Sequence, residues 1–387
     1  MDPRKLLTKI EARREEFVES LRQMVNIDSG SFTPEGVNRV ADLCEARFVA
    51  GGWKVERRSN VPPPGKRRLG DVVIGRIEGP GGPRVLLLGH MDTVFPDGTV
   101  AERPFRIEGS RAYGPGVSDM KSGLLAGFFA VEALVEAGEG EFGSVTYVCN
   151  PDEEIGSPFS SEVISELARE ADVCFVLEAA RENGDVVSAR KGVGDADIVL
   201  KGRAAHAGVE PERGASAILE AAHKVVALHD LNGRWPGVTV NVGVVGGGTR
   251  PNVVADRCEL EVDIRAVDAA SQEEAMSEVR RIAETNRIPG VELDSFKSRS
   301  WHPPMEKTPE IAALVVRARD IGTELGLSFG DSKTGGASDG NTVAAAGVPT
   351  LDGLGPVGGG WHGPDEWLDL ESLPARTALL AGLLGGS

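Results

Sequence analysis

From about residue 37 to residue 187, apolar residues switch repeatedly between the spacing of a helix and that of a strand. "VNRVADLCEARFVAGG" has helical spacing and closes on glycine, whereas "WKVERR" and "DVVIGRIEG" alternate as strands do. "RVLLLGH" is apolar without interruption, as expected of a strand covered on both faces. "SGLLAGFFAVEALVEAG" then predicts a helix, "SVTYVCN" a strand, "SSEVISELAREA" a helix and "DVCFVLEA" another strand. Strands alternating with helices predict an α/β domain on a mainly parallel, mixed sheet flanked by helices. Ahead of it, Leu6, Leu7, Ile10, Phe17, Leu21, Met24 and Val25 recur at helical spacing and predict an amphipathic first helix.

The middle of the chain has a different order. "DADIVLKG" predicts a strand, "GASAILEAAHKVVALHDL" a helix, "VTVNVGVVGGG" and "RCELEVDIRA" paired strands, "SQEEAMSEVRRIAETN" a helix and "GVELDSFKS" a last strand. Ser271 with Glu274 three residues on has capping-box spacing and is the expected N-cap. The order β-α-β-β-α-β is ferredoxin-like. From about residue 301 the first pattern resumes, through "PEIAALVVRARDIGTEL" to "DLESLPARTALLAGLL". The expected architecture is a discontinuous first domain (1–188 and 301–387) with an α+β domain inserted at 189–300.

Two domains also suit a chain of 387 residues, which exceeds the usual limit of one core. A net charge of −17 argues against nucleic acid or an anionic membrane as partner, and no apolar run is long enough to span a bilayer. The charged N-terminus is unlike a signal peptide, so a cytoplasmic location is expected. Cys44, Cys149, Cys174 and Cys258 are scattered, with no CxxC pair, and are expected to be buried thiols rather than disulfides or metal ligands.

The chemistry collects where apolar strands end, which is where open α/β sheets bind ligands. "GHMDTV" holds His90 and Asp92 two residues apart, so both leave the same face of an extended chain. A metal-ligating histidine commonly hands its second ring nitrogen to a carboxylate, and Asp92 is near enough to serve. "GPGVSDMKSG" holds Asp119 in a glycine-rich loop before a helix, "NPDEEIGS" packs Asp152, Glu153 and Glu154 at a strand exit, Glu178 ends "DVCFVLEA", and "GGGWHGPDEW" supplies His362. Taken singly, each is ordinary: a structural histidine, a turn aspartate, a solvated acidic run. Together they form a set of two histidines and several carboxylates suited to zinc, manganese or cobalt. Metal charge also explains why three neighbouring carboxylates tolerate partial burial.

In order and spacing, "GHMDTV", "GPGVSDMKSG", "NPDEEIGS", "VLEA" and "WHGPDEW" resemble the dizinc carboxypeptidase and deacylase family. That family includes glutamate carboxypeptidase, succinyl-diaminopimelate desuccinylase, acetylornithine deacetylase and tripeptide and dipeptide aminopeptidases. The resemblance runs over essentially the whole chain. It implies that Asp119 bridges two divalent metals, zinc foremost with cobalt or manganese as alternatives. His90 and Glu178 would complete one site, and Glu154 and His362 the other. Glu153 would be the general base, and Asp92 the partner of His90. A cis peptide would follow Asp119. His206, in "KGRAAHAGVEP", would donate a hydrogen bond to the reacting carbonyl in the other subunit of a homodimer, which pairs through the inserted lid and dimerisation domain.

Arginine is the natural clamp for a carboxylate. "SARKGV" carries Arg190 and Lys191, and "GGGTRPNVVADRCELEVDIR" carries Arg250, Asn252 and Arg265. In the glutamate carboxypeptidase branch, the residues matching Lys191, Asn252 and Arg265 contact the substrate's carboxylate end, and "GGASDGN" (335–341) matches a substrate-side loop. The expected reaction is release of a C-terminal amino acid, glutamate foremost, from a small N-acyl amino acid or short peptide. The near alternative is deacetylation or desuccinylation of an amino-acid metabolite. A non-catalytic peptide-binding protein would have lost Glu153 or a ligand, and all are present. His223, His229 and His302 are assigned no role.

Overall fold

The computed structural model describes residues 2–138 and 140–386, which form two compact units. The first runs from the amino terminus to Ala189 and adds Lys307–Lys333 and everything from Ser338 onward. The second takes Arg190–Glu306 and the short piece Thr334–Ala337, against the expected 189–300.

The first unit is built on a six-stranded sheet in the order Lys54–Arg58, Val72–Glu78, Ser144–Asn150, Arg84–His90, Val173–Val176, Thr350–Leu351. The last four run parallel and the first two antiparallel, as the alternation of strands and helices predicts. Arg84–His90 lies at the centre and is buried from Val85 to His90. Helix Ser122–Ala137 is apolar on nearly every side and correspondingly buried from Ser122 to Val131. Gly123 lets it approach the sheet, since a Cβ there would stand 1.8 Å from the Leu177 carbonyl oxygen. Phe128 and Phe129 join Phe48, Phe17 and Tyr147 in an aromatic cluster with ring centroids 4.7–5.6 Å apart.

The expected first helix is two, Pro3–Glu11 and Arg14–Val25, with Leu6 and Ile10 buried on one and Phe17, Leu21, Met24 and Val25 on the other. Arg13, at the break, pairs with Glu16 and Glu132. The sequence gives no sign of a second sheet: Gly358–Gly359, Trp367–Asp369, Arg111–Tyr113 and Arg106–Glu108, in that order. Strands of two or three residues are too short for a period to register.

The second unit has the order β-α-β-β-α-β, with its sheet arranged Thr239–Gly247, Arg257–Ala266, Gly192–Lys201, Glu292–His302, all antiparallel. That is the ferredoxin-like topology. Helices Ala217–His229 and Ala269–Glu284 cover one face, where Ile198, Leu200, Leu260, Val262 and Ile264 are buried. The expected cap at Ser271 is corrected. Asp268 is extended and its carboxylate accepts the Ser271 N–H at 2.8 Å, so the helix starts at Ala269 and Ser271 falls in its first turn. All four cysteines are buried and free. Among the described residues, no helix is long and apolar enough to cross a membrane.

His302, at the end of the last strand of this unit, is buried, and its pKa is lowered to about 4 by burial and then by the charges of Arg265 and Arg190. A histidine with a depressed folded pKa favours the native state fully above its unfolded value, near 6.5, and loses that contribution as pH falls toward 4. The loss amounts to on the order of 3 kcal/mol. His302→Gln is expected to flatten the fall in unfolding free energy between these two pH values in denaturant titrations. An unchanged slope would refute the assignment.

Candidate metal centre

Three neighbouring strands of the first unit deliver their carboxyl ends side by side. His90 ends the central strand and is paired in register with Asn150, which ends the next. Glu178 stands two residues beyond Val176, the end of the third. After Asn150 the chain makes a single 3-10 turn, Glu153–Ile155, in which successive side chains diverge by about a third of a revolution. This turn separates the crowded acidic triplet. Asp152 points back into the protein, accepting the N–H groups of Phe159 and Ser160 at 2.6 and 3.3 Å. Glu153 and Glu154 are left for the site.

Asp119 lies opposite, in the turn Val117–Lys121 that leads into helix Ser122–Ala137, and its peptide bond to Met120 is cis. Its two oxygens face different histidines. Oδ1 is 3.1 Å from His90 Nε2, and Oδ2 is 3.3 Å from His362 Nε2. Glu178 Oε1 approaches His90 Nε2 at 3.6 Å, and Glu154 Oε2 approaches His362 Nε2 at 3.2 Å. Glu153 Oε2 stands farther off, 4.0 Å from His90 Nε2. The donor atoms of His90, Asp119 and Glu154 all lie within 4.8 Å of one another, as do those of His90, Glu153 and Glu178. His90 is buried, whereas the His362 side chain is 57% exposed and marks the open side.

Asp92 is near His90, but its carboxylate does more than orient that ring. The ring Nδ1 is 3.0 Å from the Asp92 carbonyl oxygen and 3.4 Å from Oδ1. The carboxylate itself accepts the Ser31 hydroxyl at 2.6 Å and the N–H groups of Glu153 and Glu154 at 3.1 and 3.2 Å. Asp92 therefore holds the turn that carries both glutamates.

Glu366 is a residue that sequence reasoning missed. Buried just before the short strand Trp367–Asp369, it accepts the N–H groups of Gly116, Ser118 and Asp119 at 2.8–2.9 Å. Its only signal was the acidic pair in "GPDEW". Asp339 is also buried, accepting from Asn150 Nδ2 at 2.6 Å and from the Ser157 hydroxyl. The loop 335–341, expected on the substrate side, thus sends Asp339 inward against the glutamate turn.

The electrostatics test whether cations fit. Burial, reinforced by Glu178, Asp339 and Glu154, raises the Glu153 pKa well above its ordinary value despite His90. Burial likewise raises Glu154, and pushes Asp339 and Glu366 up to about 7. Hydrogen bonds to Asp119 and Glu154 push His362 up to about 10, and His90 rises despite its burial because Asp119 and Asp92 outweigh it. Every one of these shifts is a demand for positive charge. Two histidines with shared and unshared carboxylates, one carboxylate dividing its oxygens between the two rings, fit a pair of divalent cations of the zinc type.

The other expected site residues belong to the second unit. The exposed His206 accepts the Gly208 N–H at ring Nδ1, 3.2 Å, which leaves Nε2 to carry the ring's proton. Arg265 donates from Nε to both oxygens of Asp263 at 3.0 Å. Lys191 is half-buried, with its N–H on the Thr334 carbonyl at 3.0 Å, and Asn252 is exposed. Arg190 is buried, its Nη1 on the carbonyls of Gly336 and Ala337 at 3.2 and 3.4 Å.

Removing the cations is expected to destabilise the first unit by about 4 kcal/mol at metal concentrations a thousandfold above Kd, or roughly 10 °C in thermal unfolding. A scan with and without a chelator, followed by zinc re-addition, measures this. A midpoint indifferent to chelation would exclude a resident cation in this cluster.

Comparison with known proteins agrees with the geometry. Residues 86–385 match the model of peptidase family M20/M25/M40. Carboxypeptidase G2 of Pseudomonas sp. (strain RS-16) is 30% identical over 370 residues, covering 95% of this chain and 88% of that one. Succinyl-diaminopimelate desuccinylase of Dechloromonas aromatica (strain RCB) is 28% identical over 321 residues, 78% of this chain and 83% of that one. A tripeptidase of Staphylococcus aureus subsp. aureus Mu50 has the same fold, with a TM-score of 0.82 at 23% identity over 96% of this chain and 98% of that one. The chain belongs to peptidase family M20/M25/M40 and is a metallohydrolase.

Proposed function

We propose that this member of the M20/M25/M40 family releases a C-terminal amino acid, glutamate foremost, from N-acyl amino acids or short peptides. The observation that carries the reading is the Asp119 carboxylate, divided between His90 and His362 with Glu178 and Glu154 on either side. His90, Asp119 and Glu178 would hold one cation, and Asp119, Glu154 and His362 the other. Bound there, two cations supply Lewis acidity, making water acidic at neutral pH and drawing charge from the scissile carbonyl.

The chain's own residues do the rest. Glu153, whose Oε2 stands 4.0 Å from His90 Nε2, takes the proton of the attacking water and returns it to the departing amine nitrogen. Asp92 keeps that carboxylate in place through the Glu153 and Glu154 N–H groups. His206, with its proton on Nε2, donates to the carbonyl oxygen as charge develops there. Lys191, Asn252 and Arg265 bind the carboxylate of the released amino acid. Arginine presents paired N–H groups for this purpose, which Arg265 now spends on Asp263.

A homodimer through the second unit is part of the same proposal. Thr239–Gly247 is an edge strand exposing Val244 and Val245, and helix Ala217–His229 exposes Ile218, Leu219 and Val226. Such an apolar edge is a template for pairing with another copy.

Amino-acid release from pooled N-acyl amino acids and short peptides, with the zinc-loaded protein, tests the reading. Chelator-sensitive release of glutamate is expected, and Glu153→Gln should lower kcat by roughly 10²- to 10⁴-fold. Release of an acetyl or succinyl group from a diamino acid, without preference for glutamate, would move the substrate to the desuccinylase and deacetylase branch. Absence of release from every member would overturn the hydrolytic reading. Arg265→Met is expected to raise KM for substrates bearing a free carboxylate by about 30- to 100-fold, with a smaller effect on kcat. Equal loss in kcat and KM would exclude Arg265 from binding.

A further inference from the structure

We propose that Glu366 is a positioning residue of the metal centre, whose carboxylate ties the Asp119 loop to the His362 loop and thereby sets the outer cation site. The proposal rests on the metallohydrolase reading above. Glu366 follows His362 by four residues and is only 2% exposed. Its Oε1 accepts the N–H groups of Ser118 and Asp119 at 2.8 and 2.9 Å, and its Oε2 accepts that of Gly116 at 2.9 Å. Gly114 and Gly116 have φ of +147° and +72°, so the loop curls and the N–H groups of residues 116, 118 and 119 converge on one anion, much as in a backbone nest, while that of Val117 closes on the Gly114 carbonyl. Here the anion is a side chain of the protein itself.

Strand register explains how the residue reaches that position. Tyr113 pairs with Trp367 in the antiparallel short sheet, so the residue before Trp367 meets the loop that follows Tyr113. A second tie runs from the other side of His362, where Trp361 Nε1 donates to Ser118 Oγ at 3.1 Å. Residues 361 and 366 thus both grip the segment 116–119. Between them, His362 adopts φ +62°, a left-handed conformation that a non-glycine residue keeps only under constraint.

The consequence is uneven between the two cation sites. His90 is placed by the central strand, with only its N–H to Met120 Sδ at 3.3 Å and its ring contact to Asp119 reaching these loops. The spacing between Asp119 Oδ2 and His362 Nε2, 3.3 Å, does depend on them. A carboxylate buried against main-chain N–H groups serves a purpose when the loop it holds must not drift. Asp119 serves both sites, so loss of Glu366 should loosen the Asp119–Glu154–His362 site more than the His90–Asp119–Glu178 site, two of whose three ligands leave the central sheet.

The test is metal titration of the apo protein with zinc against a chromophoric chelator, and with cobalt read by its visible spectrum. Wild type, Glu366→Gln, Glu366→Asp and His362→Ala would be compared, each checked for folding by circular dichroism. Glutamine keeps the shape but turns an NH₂ group toward main-chain donors. It is expected to weaken the second equivalent by about 10- to 100-fold and the first by markedly less. Excess metal should then recover kcat, which a merely unstable variant would not do. In the His362→Ala background, Glu366→Gln should weaken metal binding by less than it does with His362 present. A folded glutamine variant that binds both equivalents like wild type would overturn the proposal. Should glutamine not fold, aspartate must give the same selective loss in milder form. If neither folds, the carboxylate holds the fold and the proposal fails. A wild-type protein that does not take two equivalents would instead refute the metallohydrolase reading.

Discussion

The structure turns on how a group of buried and half-buried carboxylates is partnered and kept apart. Asp92, Asp119, Glu153, Glu154, Glu178, Asp339 and Glu366 are packed about one end of a sheet, with two histidines among them. Desolvation alone would protonate several of them. The protein answers in two ways. Carboxylates that hold loops receive main-chain N–H groups: two for Asp92, three for Glu366. Carboxylates that face the cluster receive histidine nitrogens, and their remaining demand is for cations.

This division of labour explains why the site residues come from such distant parts of the chain. A parallel sheet brings His90, the Glu153–Glu154 turn and Glu178 to one edge because each strand leaves at the same end. The two remaining participants, Asp119 and His362, lie on loops that a sheet cannot order. The small sheet made from residues 106–113 and 358–369 brings these loops together, and Glu366 fastens one to the other. Rigid strands thus set the inner half of the cluster, and hydrogen bonds between loops set the outer half.

The second unit follows a separate logic. Its sheet buries one face under two helices and leaves the edge strand Thr239–Gly247 apolar and exposed. Two of its arginines are engaged within the unit, Arg265 with Asp263 and Arg190 with main-chain carbonyls, which fixes their geometry.

The sequence by itself determined the alternation of long strands and helices in the first unit, the β-α-β-β-α-β order of the second, and His90, Asp119, Glu153, Glu154, Glu178 and His362 as a candidate group. Apolar periodicity over seven to sixteen residues carries that information locally, and acidic and histidine residues at the ends of apolar runs are conspicuous. Only the tertiary structure decided what each carboxylate does. Asp152, Glu153 and Glu154 are indistinguishable as letters, yet one caps a helix and two face the cluster, because a single turn points them apart. Likewise Asp268 displaced Ser271 as a cap, and Glu366 went unnoticed beside His362, because which N–H groups a carboxylate meets depends on neighbours hundreds of residues away or on one backbone dihedral. Periodicity is a property of the chain, whereas hydrogen-bond partnership is a property of the packed molecule.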